Sequence, residues 1–452
     1  MKALRYIILL FIFTGFVGIS SAQTEPGEFN LTDFAVAPQI CGGCHVSNFE
    51  EWEGSMHAAS NSDPFYQLTF SMASKATDGE VDTFCPRCHS PISYVTGTDS
   101  KIAMNRDIGN ASENGVLCDF CHTVKSKTGL GNGQYILSPG NIKFGPWDDA
   151  DSPFHGTQES ELHTKSDFCS ICHYQTHFNN EVVIQSTFQE WLESPYFEDD
   201  TTCQDCHMTP GTGFTKNPGN STSIGKEREH IWTHNTAGGN IFQTRIQSPK
   251  HKVLASGMLK AAAKLDVNSK MENNERILLD ATISNVGAGH SIPTGSNALR
   301  QIWLEVKAID KDGKVIYSSG ELDNAGNIDP AATVYGSVYH DGSGQITMNE
   351  WEAASIFSDN RIKAGESVVQ NYEINIPSDV NGPVIVSTRL LYRTAPQNLI
   401  DELFKNAAEN VPVVEMAKQE ETFGGTEGTP GFGVVYSVMA IIIIILMLRN
   451  RD

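Results

Sequence analysis

Two stretches of the chain carry different hydrophobic patterns. After about residue 254, apolar and polar positions alternate with the period of a half-buried strand. Segments 275–284, 301–308, 314–317, 367–374 and 383–392 read this way. Asp312-Gly313, Asp341-Gly342 and Asn381-Gly382 supply turn signals between some of them. This pattern predicts an antiparallel β-sandwich of roughly seven to nine strands, with a short helix over 397–407. Sandwiches serve many roles, so this half names no chemistry. The first half lacks long periodic apolar runs and is rich in Gly, Asn, Asp and Ser. Such a segment buries too little apolar surface to offset its chain entropy unaided. Short helices and long loops built on something other than a protein core are expected there.

Both ends carry apolar runs. Lys2 and Arg5, an apolar stretch from Ile7 to Val17 and the small residues Ser20-Ser21-Ala22 form the pattern of a secretory signal ending at Ala22. The body of the protein is then expected outside the cytoplasm. Near the C-terminus, Phe432 to Leu448 is apolar and is followed by Arg449 and Arg451, as in a short membrane span. The expected organisation is a signal peptide at 1–22, a first domain of short helices and loops at 23–253 and a β-sandwich at 254–412. A flexible linker at 413–431 and an anchor helix at 432–448 complete it.

Charge narrows the partners. The formal net charge is −22, and removing Lys2 and Arg5 makes it more negative. Nucleic acid is not an expected partner, whereas basic or metal-bearing surfaces are. Sequons at Asn30, Asn110 and Asn220 are compatible with an exposed surface.

The decisive pattern is Cys-x-x-Cys-His, written five times and using all 10 cysteines. The copies are Cys41-Gly-Gly-Cys44-His45, Cys85-Pro-Arg-Cys88-His89, Cys118-Asp-Phe-Cys121-His122, Cys169-Ser-Ile-Cys172-His173 and Cys203-Gln-Asp-Cys206-His207. This is the spacing of c-type haem attachment. The two thiols add to the porphyrin vinyl groups, and the adjacent imidazole binds iron. Zinc sites use four ligands and do not require a histidine after every pair. A chance histidine at all five places is roughly a one in 10⁷ to 10⁸ event. Five covalently attached c-type haems are expected.

Nine histidines lie outside the motifs: 57, 155, 163, 177, 230, 234, 251, 290 and 340. They outnumber the irons, so bis-imidazole ligation and low potentials are expected. His57 ends Glu51-Trp-Glu-Gly-Ser-Met-His57, which resembles the signature of the cytochrome c554 group, and that resemblance implies a distal ligand to the first iron. His155, ahead of the fourth motif, and His234, in a Gly-rich segment, are further candidates. His163 and His290 complete the expected metal-ligand set. His230 competes for those last places, His177 and His251 are weaker, and His340 is read as structural. Methionines 56, 72 and 104 are the competing ligand type.

Family likeness rests on Glu51-Trp-Glu-Gly-Ser-Met-His57, on 115–124 and on 190–196 followed by 202–208. These resemble the cytochrome c554 group within the multihaem superfamily that includes hydroxylamine oxidoreductase. Segment 287–295 resembles the start of the β-domain in surface multihaem cytochromes. Glu51-Trp-x-x-Ser-x-His57 also echoes Glu190-Trp-x-x-Ser-x-Tyr196, with tyrosine replacing histidine. Tyr196 is read as structural. Pro430-Gly431-Phe432, behind a Gly-rich linker, resembles an archaeal surface-protein sorting signal, which implies removal of the tail in favour of a lipid.

Together these readings imply a protein anchored by its C-terminus to the outer face of the cell membrane that moves electrons. The implied donor is another multihaem cytochrome or a membrane quinone- or methanophenazine-linked donor. The implied acceptor is extracellular: a partner cell, a mineral or a cytochrome. Two alternatives stand beside it: an oxidoreductase acting on hydroxylamine, nitrite or a sulfur compound, and a subunit of a conductive surface filament. An enzyme needs an iron with an open position, and every motif here is of the ordinary type.

Overall fold

The computed structural model describes residues 24–35, 37–98, 115–242, 248–380, 382–405 and 410–424. The expected signal peptide, the Phe432–Leu448 helix, Asn110, Met104 and Asn381 lie outside them. Among the described residues no helix is long and apolar enough to cross a membrane.

The first half is a string of short helices, several opened by proline at the first turn: Pro38–Gly42, Pro64–Ala76, Pro86–His89, Pro91–Thr96 and Pro195–Glu198. Proline's fixed φ suits that position and its missing N–H costs nothing there. Each haem motif contains a helical turn, which places two cysteines three apart and the histidine one further on a common face. The Cys203–His207 helix is closed by a capping box between Thr202 and Asp205. A small apolar cluster forms after all: Trp52, Ile92, Tyr94, Leu117, Phe120 and Tyr135 pack together.

The helix Pro249–Ala262 leads directly into the first long strand. The expected boundary at Val253 therefore falls inside a helix. Its start is set by Ser248, which accepts from the His251 N–H, and by Pro249.

The second half is a sandwich of two antiparallel sheets. One has strand order 367–375, 276–285, 263–272. The other runs 315–319, 301–310, 384–393, 414–423, with the short 334–335 strand also on 301–310. Ile277, Leu279, Ala281 and Ile283 project from the first sheet against Ile302, Leu304, Val306 and Leu390 of the second. Alternation along 276–285 matches this packing, since Asp280 is exposed between buried neighbours. Trp303 faces the opposite side of its sheet, fully buried, and donates its indole N–H to Gly320 O at 2.9 Å.

Two expectations need correction. Strand 263–272 was not among those expected, because Lys264, Asp266, Asn268 and Lys270 fill its outward positions and Ser269 interrupts the apolar inward row. Within the linker expected over 413–431, Val414–Phe423 is a strand that pairs along 384–393, and 425–431 lie outside the described residues. Val414 and Met416 face the core, while Lys418, Gln419 and Glu420 dominate the exposed remainder and mask the period.

A third small sheet, strands 337–340, 346–347 and 355–359, docks on the first half. Tyr339 Oη donates to Ile184 O at 3.0 Å, and Asn180 Nδ2 to Ala353 O at 2.8 Å. Helix Gln397–Phe404 lies against the Pro64–Ala76 helix, with Phe65 packed by Ile400 and Phe404. It ends at Phe404, capped by Lys405 at a left-handed φ of 45°; the expected end at Ala407 lies outside the described residues.

Candidate haem-binding site

All five motifs open onto one continuous cavity of about 1910 Å³, lined by both thiols and the imidazole of each. The proximal histidines are oriented alike. The Nδ1–H of His45 donates to Ser221 O at 3.1 Å, that of His89 to Ser60 O at 2.9 Å, that of His122 to Phe144 O at 2.7 Å and that of His207 to Ala237 O at 2.8 Å. His173 Nδ1 meets the Gln185 side-chain amide at 3.4 Å. A carbonyl on Nδ1 fixes the tautomer and leaves the Nε2 lone pair for a metal. Burial holds these rings neutral: His173 is pushed down to about 3, and His89, His122 and His207 also lie below the usual range.

Four of the five proximal imidazoles have a second imidazole opposite. The centroid separations are 6.4 Å for His45 and His155, 6.2 Å for His57 and His173, 6.3 Å for His122 and His234, and 6.3 Å for His207 and His290. Imidazole–metal bonds of about 2 Å on either side of a shared ion place ring centroids about 6 Å apart. The distal rings are held by their own chain: His155 Nδ1 donates to Gly156 O and His290 Nδ1 to Ser291 O, both at 3.0 Å. Burial pushes His57 and His234 down to about 4.

These pairings differ from the expectation in two places. His57 faces the proximal histidine of the fourth motif, not the first, and His155 faces the first. His163 is not across an open space from any proximal ring. Its Nε2 donates to Cys121 O at 2.9 Å and its ring packs on Phe168. It lies 5.9 Å from His122, beside the pocket that His234 completes.

The histidines not placed on iron have other work. His177 bonds Trp351 O through Nε2 and accepts from Asn179 N–H through Nδ1. His340 stacks on Phe357 in the β-domain. Tyr196 donates its hydroxyl to Val286 O at 2.9 Å, a tie to the β-domain.

His89 is different. No second imidazole faces it among the described residues; Tyr66 stacks flat on it with centroids 3.9 Å apart. Met72 and Met348 line the same cavity.

The motifs touch one another. Cysteines of different motifs lie side by side: Cys41 with Cys118, Cys88 with Cys172, and Cys169 with Cys203. The first motif therefore adjoins the third, the second the fourth, and the fourth the fifth. Before attachment, burial pushes the Cys85 and Cys121 thiols up to about 12. Among the described residues no group of His, Cys, Asp and Glu converges as an all-protein metal site. The donor set fits haem: paired thiols beside a neutral Nε2, an opposing Nε2 and a cavity of porphyrin scale. When bound, the haem supplies the electron exchange; the protein supplies spacing, ligands and surroundings.

Comparison with known proteins agrees. The family described as cytochrome c554 and c-prime matches residues 40–123, which hold the first three motifs. A crystal structure of a penta-heme cytochrome c552 from Thermochromatium tepidum superposes with a TM-score of 0.64 at 22% identity, covering 88% of this chain and 100% of that one. The fold is that of a multihaem c-type cytochrome. A glycosyl hydrolase family 2 member from Bacteroides cellulosilyticus shares 11% identity over 35% of this chain and 14% of its own, at a TM-score of 0.17, and carries no argument. No curated protein matches.

Proposed function

We propose that the chain is a pentahaem electron carrier, held at the outer face of the cell membrane by its C-terminus. The single observation that carries this reading is the set of four imidazole pairs at bis-ligand spacing around one cavity. Two strong ligands per iron leave nothing for a substrate to displace, and they keep iron low-spin. The contacts between motifs support a route from the first through the third and from the second through the fourth to the fifth. Close thioether attachments mean close porphyrin edges, and electrons hop between such edges. The Pro430-Gly431-Phe432 tail and the N-terminal signal pattern support a cell-surface location in an archaeon. The donor would then be a membrane quinone- or methanophenazine-linked protein or another multihaem cytochrome. The acceptor would be an extracellular cytochrome, mineral or partner cell. Optical and EPR spectra of the purified protein test this, because a carrier gives bis-imidazole low-spin signals for most of its haem. A spectrum dominated by high-spin iron would overturn it.

One observation favours a second reading. Among the described residues no imidazole faces His89, so its iron would be open or held by a side chain of another type. An open iron there would permit redox chemistry on a small nitrogen or sulfur compound, fed by the other haems.

A further inference from the structure

The two Glu-Trp segments make the same pair of contacts around two different motifs. Trp52 Nε1–H donates to Val116 O at 2.9 Å, and Val116 is the second residue before Cys118. Trp191 Nε1–H donates to Thr201 O at 2.9 Å, and Thr201 is the second residue before Cys203. Each indole therefore ties down the approach to the next motif but one or the next motif along. The preceding glutamates reach the opposite wall. Glu51 Oε2 accepts the backbone N–H of His234 at 2.8 Å. Glu190 Oε2 accepts the backbone N–H of Ser291 at 3.1 Å, beside His290, and the Thr294 hydroxyl at 2.8 Å. His234 is the ring opposite His122, and His290 the ring opposite His207.

We infer that each Glu-Trp pair is a two-sided clamp on one haem pocket: the indole fixes the proximal wall and the carboxylate fixes the distal histidine. Glu51 and Trp52 serve the third motif; Glu190 and Trp191 serve the fifth. These are positioning residues, because none of them faces iron. The inference rests on the haem-ligand reading above.

The clamps differ in their electrostatics. Glu190 forms an ion pair with Arg361, whose guanidinium also bonds Asn297 Oδ1 at 2.9 Å and Asp359 at 2.7 Å. Both side chains of the pair are almost buried, at 7% and 10% exposure. Arg361, Asn297 and Asp359 all belong to the β-domain, as does His290. The sandwich is thus locked to the cytochrome half at the place where it contributes an axial imidazole. Among the described residues Glu51 forms no ion pair of this kind, with the Lys250 charge acting on it from nearby. A charge-assisted bond to a backbone N–H is stronger than a neutral one, so removing either carboxylate frees the distal segment.

The holoprotein tests this through difference EPR and potentiometry. His234→Ala and His290→Ala first assign the signals of the third- and fifth-motif haems. Glu51→Ala should then shift the spectrum and potential of the His234 haem alone, and Glu190→Ala those of the His290 haem alone. Glu51→Gln and Glu190→Gln, which keep an acceptor oxygen, should restore most of the native signal. Unchanged spectra in both alanine variants, or equal changes across all haems, would overturn the clamp. If Glu190→Ala does not fold, Glu51→Ala decides, since no interdomain ion pair depends on it. Wild-type protein lacking bis-imidazole signals would instead overturn the underlying ligand reading.

Discussion

His207 and His290 face each other at 6.3 Å with ring planes 13° apart, although one lies in a haem motif and the other in the β-domain. If both rings ligate one iron, the sandwich completes a haem site and is more than an appended module. Replacing His290 with Ala should leave Cys203, Cys206 and His207 to hold the cofactor while removing its second ligand. The expected outcome is one high-spin or water-ligated iron that binds carbon monoxide rapidly when reduced. A spectrum identical to wild type would remove His290 from the ligand set.

The haem attachment sites were legible in the sequence because covalent chemistry demands contiguous residues. Cys203, Cys206 and His207 must share one helical turn, so a regular expression finds them. Of the distal candidates only His57 was matched to an iron, and to a different one from that it faces; the reason is physical. An axial pair is formed by chain segments that the fold brings together, and sequence proximity says little about it. His57 lies close after the first motif yet reaches His173, and His155 lies close before the fourth yet reaches His45. The strand at Val414–Phe423 was hidden for a different cause: as an edge strand pairing on one side, it keeps only Val414 and Met416 deeply buried. Glu190 and Arg361 were invisible as partners because an ion pair across domains leaves no local spacing.

The chemistry of attachment gives a mass prediction. With 10 cysteines in five motifs, intact-mass measurement should show the additional mass of five haems and no maleimide-reactive thiol after denaturation. Fewer haems, or a labelled cysteine, would show that one motif is not used.

Asp119 sits inside the third motif with its side chain 1% exposed, bonded to Lys143 and accepting the Ala35 N–H at 2.7 Å. Removing one partner of a buried pair strands the other charge, at a cost of roughly 3–5 kcal/mol. Lys143→Met should therefore lower the denaturation midpoint strongly. Lys143→Met combined with Asp119→Asn should recover much of the loss, as chemical denaturation curves would reveal. A single variant as stable as wild type would mean that the carboxylate finds water or another donor.

Glu350 lies in the turn that docks on the second motif, with a buried carboxyl oxygen lacking a partner. Burial pushes it up to about 7, against a Ser296 hydrogen bond and the Arg300 charge that both act downward. The folded state thus holds this proton to higher pH than the unfolded chain, whose glutamate titrates near 4.5. The penalty for ionising it is absent at low pH, grows as pH rises from about 4.5 to about 7, and is constant above. Glu350→Gln should therefore stabilise the protein relative to wild type at pH 8 and make little difference at pH 4. Parallel melting curves at the two pH values check this; an equal effect at both would show that Glu350 is not held protonated.

The iron of the second motif separates carrier from enzyme. Four proximal rings face an imidazole, whereas His89 has Tyr66 stacked on its own face and no imidazole across the pocket. Stacking buries the proximal ring but supplies no sixth ligand. If Met72 or Met348, which line the cavity, closes the site, the haem is low-spin with a potential above its bis-imidazole neighbours, since thioether ligation raises it. Met72→Ala or Met348→Ala would then create a high-spin iron. We expect the wild-type protein to show one haem distinct from the others, and reduced protein exposed to carbon monoxide to report its state. Slow or absent binding, with a methionine variant that binds fast, supports the carrier. Fast binding by the wild type, together with turnover of hydroxylamine or nitrite that His290→Ala does not abolish, would place the reaction at the His89 iron and make the protein an enzyme.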